Sequence, residues 1–192
     1  MRAYRTRFKD LSPSEVLTLA EELYRTNISE PVHVANYILT IRPDAFNTKN
    51  IIVLDRYLNH LDSWGEIDDF CVHVLPPLLH TYPTQTLSLL ARWNKSKNLW
   101  KRRASVVAFT RSIGQSGAFV DEALKLCDNL IHDEEDLVLK GVGWALKDNL
   151  EAHKTKVMAY IARLRKRGTP ATVTLYALRN VTGKERACIL SI

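Results

Sequence analysis

Apolar residues recur at three- and four-residue intervals along nearly the whole chain, and no segment alternates as a half-buried strand would. Val16, Leu19, Ala20, Leu23 and Tyr24 form a first stripe, and Val32, Ala35, Ile38 and Leu39 a second. Ile51, Leu54, Leu58 and Leu61 mark a third, and Ile67, Phe70, Cys71, Val74 and Leu75 a fourth. The same periodicity predicts helices over about 84–94, 98–110, 119–132, 135–150, 154–167 and 171–180. Ser12-Pro13-Ser14-Glu15 reads as a capping box with proline in the first helical position, and Ser63-Trp64-Gly65-Glu66 as a second box. Pro13, Pro31, Pro43, Pro83 and Pro170 all fall at segment edges. Helices of ~10–17 residues with short connections predict an all-α chain of antiparallel pairs. Successive pairs start at Ser63, Asn98 and Asp133, a regular period. A pair that cannot bury its stripe alone stacks on its neighbours, so the expectation is one domain over 1–192. Its architecture would be a right-handed solenoid with a concave basic face, with a globular bundle as the rival.

Composition narrows this picture a little. The chain has 192 residues, enough for one real core, and 46% of them are hydrophobic and 25% charged, as in ordinary globular proteins. An excess of 27 Lys and Arg over 21 Asp and Glu gives a net charge of +6, a weak pointer to polyanionic partners. Cys71, Cys127 and Cys188 are odd in number, far apart and set in apolar patterns, which predicts reduced core thiols. The basic start, Met1 to Asp10, lacks an apolar core for a signal peptide, and no stretch approaches the ~18 apolar residues of a membrane span. A soluble, cytoplasmic protein is expected.

Three segments carry residues that a plain helical core does not require. Trp64 and Asp68 are four apart and share one helix face, with Asp68 bordering the apolar stripe at the mouth of a groove. A solvated aspartate near a helix start is the competing reading. Lys101, Arg102 and Arg103 open the helix that follows Asn98, where positive charge opposes the helix dipole and a phosphate would account for it. A solvated basic face is equally compatible. In Lys140-Gly-Val-Gly-Trp144, two mid-helix glycines each cost ~1 kcal/mol relative to alanine. Close approach of a neighbouring helix beside Trp144 would explain them, as would tight core packing. Arg163 to Arg167 closes a helix with cations that its dipole already favours. The six histidines have no metal-ligand spacing, and no phosphate loop, dinucleotide fingerprint or nucleophile elbow is present. No metal and no cofactor are expected.

Taken in order, these segments resemble the HEAT-like DNA alkylation repair glycosylases (AlkD-like), from about Leu11 to Ile189. The motifs are Trp64 with Asp68; Asn98, Trp100, Arg102, Arg103 and Ala104; and Lys140, Val142, Gly143, Trp144, Ala145 and Leu146. The resemblance implies HEAT-like repeats and a monomer acting on duplex DNA. It implies a monofunctional glycosylase that removes cationic N3- and N7-alkylpurines without drawing the base into a pocket. Asp68 would be the catalytic carboxylate, Trp64 and Trp144 would pack on the lesion nucleotide's sugar and phosphate, and Arg103 would hold the backbone. Lys101, Arg102 and Lys140 complete the expected phosphate-binding set. Only the short stretch to Asp10 precedes the first capped helix, so a short member without the family's N-terminal helical segment is expected. Gly65 stands where the family commonly has an acidic residue, and Gly141 where it has alanine. Two alternatives remain: a non-catalytic DNA-binding solenoid that recognises distorted or damaged duplex, and a protein-interaction scaffold.

Overall fold

The structure is a computed structural model that describes residues 8–192. The basic residues 1–7 read above lie outside the described residues. The described chain is helical, without a strand, and none of its helices is long and apolar enough to cross a membrane. It forms two compact units that divide between Leu89 and Leu90.

The first unit contains α1 (Pro13–Arg25), α2 (Ser29–Ile41), α3 (Leu54–Tyr57), α4 (Trp64–His73) and α5 (Leu75–Thr81), and it ends within α6 (Pro83–Trp93). The Ser12 box forms in full: the Ser12 hydroxyl accepts from the Glu15 amide, and the Glu15 carboxylate accepts from the Ser12 amide at 2.7 Å. At Ser63 half of the box forms, with the hydroxyl accepting from the Glu66 amide while Glu66 itself is buried. The stripe at 51–61 does not build one helix. It builds a 3-10 turn (Ile51–Val53), the single α turn of α3 and a second 3-10 turn (Leu58–His60). Ile51, Leu54 and Tyr57 are spaced by three, which suits three residues per turn as well as an α-helix, and all are buried. Pro76 and Pro77 separate α5 from α4, because proline removes an amide and clashes with the preceding turn.

A polar chain that runs from the buried Tyr24 and Asn36 out to the surface sets where α4 lies. Tyr24 on α1 donates to the Asn36 carbonyl at 2.6 Å, and the Asn36 amide donates to Asp69 on α4 at 2.7 Å. His33 on α2 and His73 on α4 lie 2.8 Å from the two oxygens of the same carboxylate. Each such bond adds only about 1 kcal/mol net, but a partner left unsatisfied in the interior costs more, so the chain admits one mutual arrangement of α1, α2 and α4. Burial, more than any neighbour, raises the Tyr24 hydroxyl well above its ordinary pKa and keeps it a donor.

The second unit contains α7 (Leu99–Val107), α8 (Arg111–Ser116), α9 (Val120–Asp128), α10 (Asp136–Lys166), α11 (Ala171–Ala177) and α12 (Gly183–Leu190). α10 is its spine and packs against α7, α8, α9 and α11. The break expected near 151–153 is present as a kink at His153 (φ −129°, ψ 47°). His153 Nε2 is 2.9 Å from the carbonyl oxygen of Gly117, a glycine in the left-handed conformation (φ 73°) that ends α8. Asn94 joins three elements: its amide donates to Ser105 and to the Leu126 carbonyl, and its carbonyl accepts from Asn129. Periodicity did not predict α8 or α12, nor α5 as a helix separate from α4. The cysteine reading needs one correction: Cys71 and Cys127 are buried thiols, but Cys188 is exposed, because α12 has little amphipathic bias and buries only Ile189.

Candidate functional site

Trp64 occupies the first position of α4, immediately after its Ser63 cap. Trp64 is 61% exposed, so its ring is open to solvent. Asp68, one turn further on, is half-buried, and its neighbour Ile67 is in the core. Asp68 and Asp69 are thereby separated in role. Asp69 is held by His33, Asn36 and His73, and Asp68 lies on the face that carries Trp64.

In the second unit, α7 does not leave its first amides open. The Asn98 side chain caps it, accepting from the Trp100 amide at 2.8 Å and the Lys101 amide at 3.4 Å. Arg102 is bidentate to Asp133 (2.6 and 3.1 Å) and donates to the carbonyls of Ser96 and Lys97. The bond to Asp133 raises the pKa of an already basic guanidinium further. Arg103 is only 5% exposed and donates to the Leu137 carbonyl at the start of α10, and Lys101 is buried as well. Lys140 is half exposed and forms an i,i+4 pair with Asp136 at 2.7 Å. Of the four cations expected to hold phosphate, Arg102 and Arg103 thus brace the starts of α7 and α10, and Lys140 is the exposed one.

The glycines beside Trp144 do serve close approach. A Cβ at Gly143 would stand 2.6 Å from the Tyr176 Cβ and 3.0 Å from the Val173 carbonyl of α11. One at Gly141 would meet Val107 of α7 at 3.3 Å, a little inside ordinary packing, and Val106 and Arg103 at 3.4 and 3.5 Å, which is ordinary contact. These contacts seat the middle of α10 and leave Trp144 half-buried. Its indole N–H donates to Asp148 at 2.8 Å. The Arg111 guanidinium lies 5.2 Å from the ring centroid and the Lys147 ammonium 5.9 Å, both within cation–π range. A cleft of about 500 Å³ opens beside them, lined among others by Arg111, Lys147, Asp148, Asn180 and Thr182.

Arg111, Lys147 and Asp148 did not stand out in the sequence. Lys147 and Asp148 follow Trp144 by three and four, the spacing that puts residues on one helix face, so that signal was present. Arg111 had none: it sits at the left-handed entry to α8 (φ 50°), which no motif announces. Trp64 and Asp68 share one helix in the first unit, and Lys101, Arg102, Arg103, Lys140 and Trp144 belong to the second.

No curated protein matches this chain. A family profile described as DNA alkylation repair enzyme matches residues 1–181 of the 192. The chain belongs to the DNA alkylation repair enzyme family.

Proposed function

We propose that this protein is a monofunctional DNA glycosylase that hydrolyses the N-glycosidic bond of cationic N3- and N7-alkylpurines in duplex DNA. In this reading it acts as a cytoplasmic monomer, a single HEAT-like domain wound as a right-handed solenoid with a concave basic face. The observation that supports it best is the pairing of an exposed indole, Trp64, with a half-buried carboxylate, Asp68, one turn apart on α4 in a chain of this family.

The chemistry asks for little more. An alkylated purine carrying positive charge is already a good leaving group, so no general acid is required. As the C1′–N bond breaks, its electron pair neutralises the base and positive charge develops on the sugar. The Asp68 carboxylate stabilises that oxocarbenium-like charge and orients the water that adds to C1′, and the water's second proton passes to solvent. Trp64 offers an indole face to the same developing cation. Trp144, with Arg111 and Lys147 over its ring, is suited to the anionic side of the nucleotide, its phosphate. Lys140, Arg111 and Lys147 hold the backbone in this reading, while Lys101, Arg102 and Arg103 support them from within α7.

The test is single-turnover release of 7-methylguanine from a duplex with one such lesion. Wild type is expected to release the base well above the spontaneous rate, and Asp68→Asn to fall to background. Equal release by the two proteins would sink the reading. A second reading, a DNA binder without catalysis, is favoured by the Trp144–Arg111–Lys147 cluster, which suits phosphate and needs no carboxylate at Asp68. It predicts salt-sensitive duplex binding with no release by either protein.

A further inference from the structure

Asp148 is the residue on which the Trp144 cluster converges. Its carboxylate is 7% exposed, yet it belongs to no motif and no part of the chemistry above requires it. One oxygen, Oδ2, accepts both the Trp144 indole N–H at 2.8 Å and the Arg111 backbone N–H at 2.7 Å. The other, Oδ1, lies 3.1 Å from the Lys147 ammonium. A buried carboxylate needs such partners, and here they are one indole and the two cationic residues that lie over its ring.

The neighbouring backbone is shaped around this carboxylate. Gly114 of α8 lies so close that a Cβ there would be 3.0 Å from the Asp148 Cβ and 2.6 Å from the Phe109 carbonyl. Arg111 is a non-glycine residue at φ 50°, a conformation that persists only where surrounding contacts over-determine it. The hydrogen bond from its backbone N–H to Asp148 is such a contact. It turns the Arg111 side chain back over the ring that Asp148 also holds. The indole, the guanidinium and the ammonium therefore cannot reorient independently.

From this geometry we infer that Asp148 is a positioning residue for excision, locking Trp144 and Arg111 into one rigid element against the lesion nucleotide. The inference rests on the glycosylase reading. Losing the carboxylate lets the indole tilt and the arginine leave it, which degrades alignment at the reacting sugar more than overall attraction to DNA. Rate at saturation is then more sensitive than affinity.

Three variants test it: Asp148→Ala, Asp148→Asn, whose amide oxygen can still accept both N–H groups, and Trp144→Phe, which keeps a ring but removes the donor. Single-turnover release of 7-methylguanine is measured against enzyme concentration, and the Trp144 indole N–H is followed by NMR. For Asp148→Ala the indole proton should move upfield and the saturating rate should fall about tenfold, with the half-saturating concentration within about twofold of wild type. Asp148→Asn should restore most of the rate and the indole signal. Trp144→Phe should reproduce the rate loss, and it decides the matter if Asp148→Ala does not fold. An unmoved indole signal in Asp148→Ala, or a saturating rate like that of wild type in Asp148→Ala or Trp144→Phe, would overturn the inference while wild type still excises. Wild type that releases no base overturns the glycosylase reading, and this inference falls with it.

Discussion

The two glycines ahead of Trp144 look alike in sequence and differ in what their missing side chains avoid. A Cβ at Gly143 would meet the Tyr176 Cβ of α11 at a distance that real side chains do not show, whereas one at Gly141 would meet side chains of α7 no closer than 3.3 Å. Alanine gains about 1 kcal/mol of helix propensity at either position, but overpacking costs roughly 1–3 kcal/mol where neighbours cannot move. Gly143→Ala should therefore lower the urea midpoint, and Gly141→Ala should leave it unchanged or slightly higher. The periodicity showed that small residues were needed here, but only the packing distinguishes the two. Arg102 gives a second contrast. Its type and its place at a helix start suggested phosphate, and its partner Asp133, thirty-odd residues along the chain, could not be read from spacing. Arg102→Ala leaves Asp133 buried without its cation and should cost about 3 kcal/mol by chemical denaturation.

Among the elements, those with start signals were the most legible. α1 begins where its capping box says, and bonds from the Ser12 hydroxyl and then the Ser12 amide lower the Glu15 pKa. A carboxyl with a depressed folded pKa contributes stability above its unfolded value, near 4.3, and loses that contribution as pH falls through the folded value. Wild type should thus exceed Glu15→Gln in urea midpoint at neutral pH, with the gap closing below about pH 4. The break in α10 was legible too, because the apolar pattern lapses before His153. α8 was not, since it depends on a left-handed Arg111 held by a residue of another helix. The run from Ile51 was misassigned as one helix, because a spacing of three fits both helix types.

For the whole molecule, the sequence supplies a charge of +6 but not which cations face outward. The fold makes that distinction: Lys101 and Arg103 are buried, while Lys140 and Arg111 reach the surface. If the protein grips duplex through its exposed cations, Lys140→Ala should reduce the salt slope of binding by about one, and Arg102→Ala should leave it unchanged. Titration of duplex affinity against salt measures both. The three thiols divide in the same way. Burial pushes the Cys127 thiol far up in pKa and Cys71 lies in the core, so neither presents a thiolate to reagents while the chain is folded. Cys188 alone is open to solvent. A maleimide dye should therefore attach once to each native chain and at all three cysteines after denaturation. The native protein comes with a single attachment point at its C-terminal helix, away from Asp68 and Trp144 in sequence, from which energy transfer to labelled DNA can be followed without engineering the core.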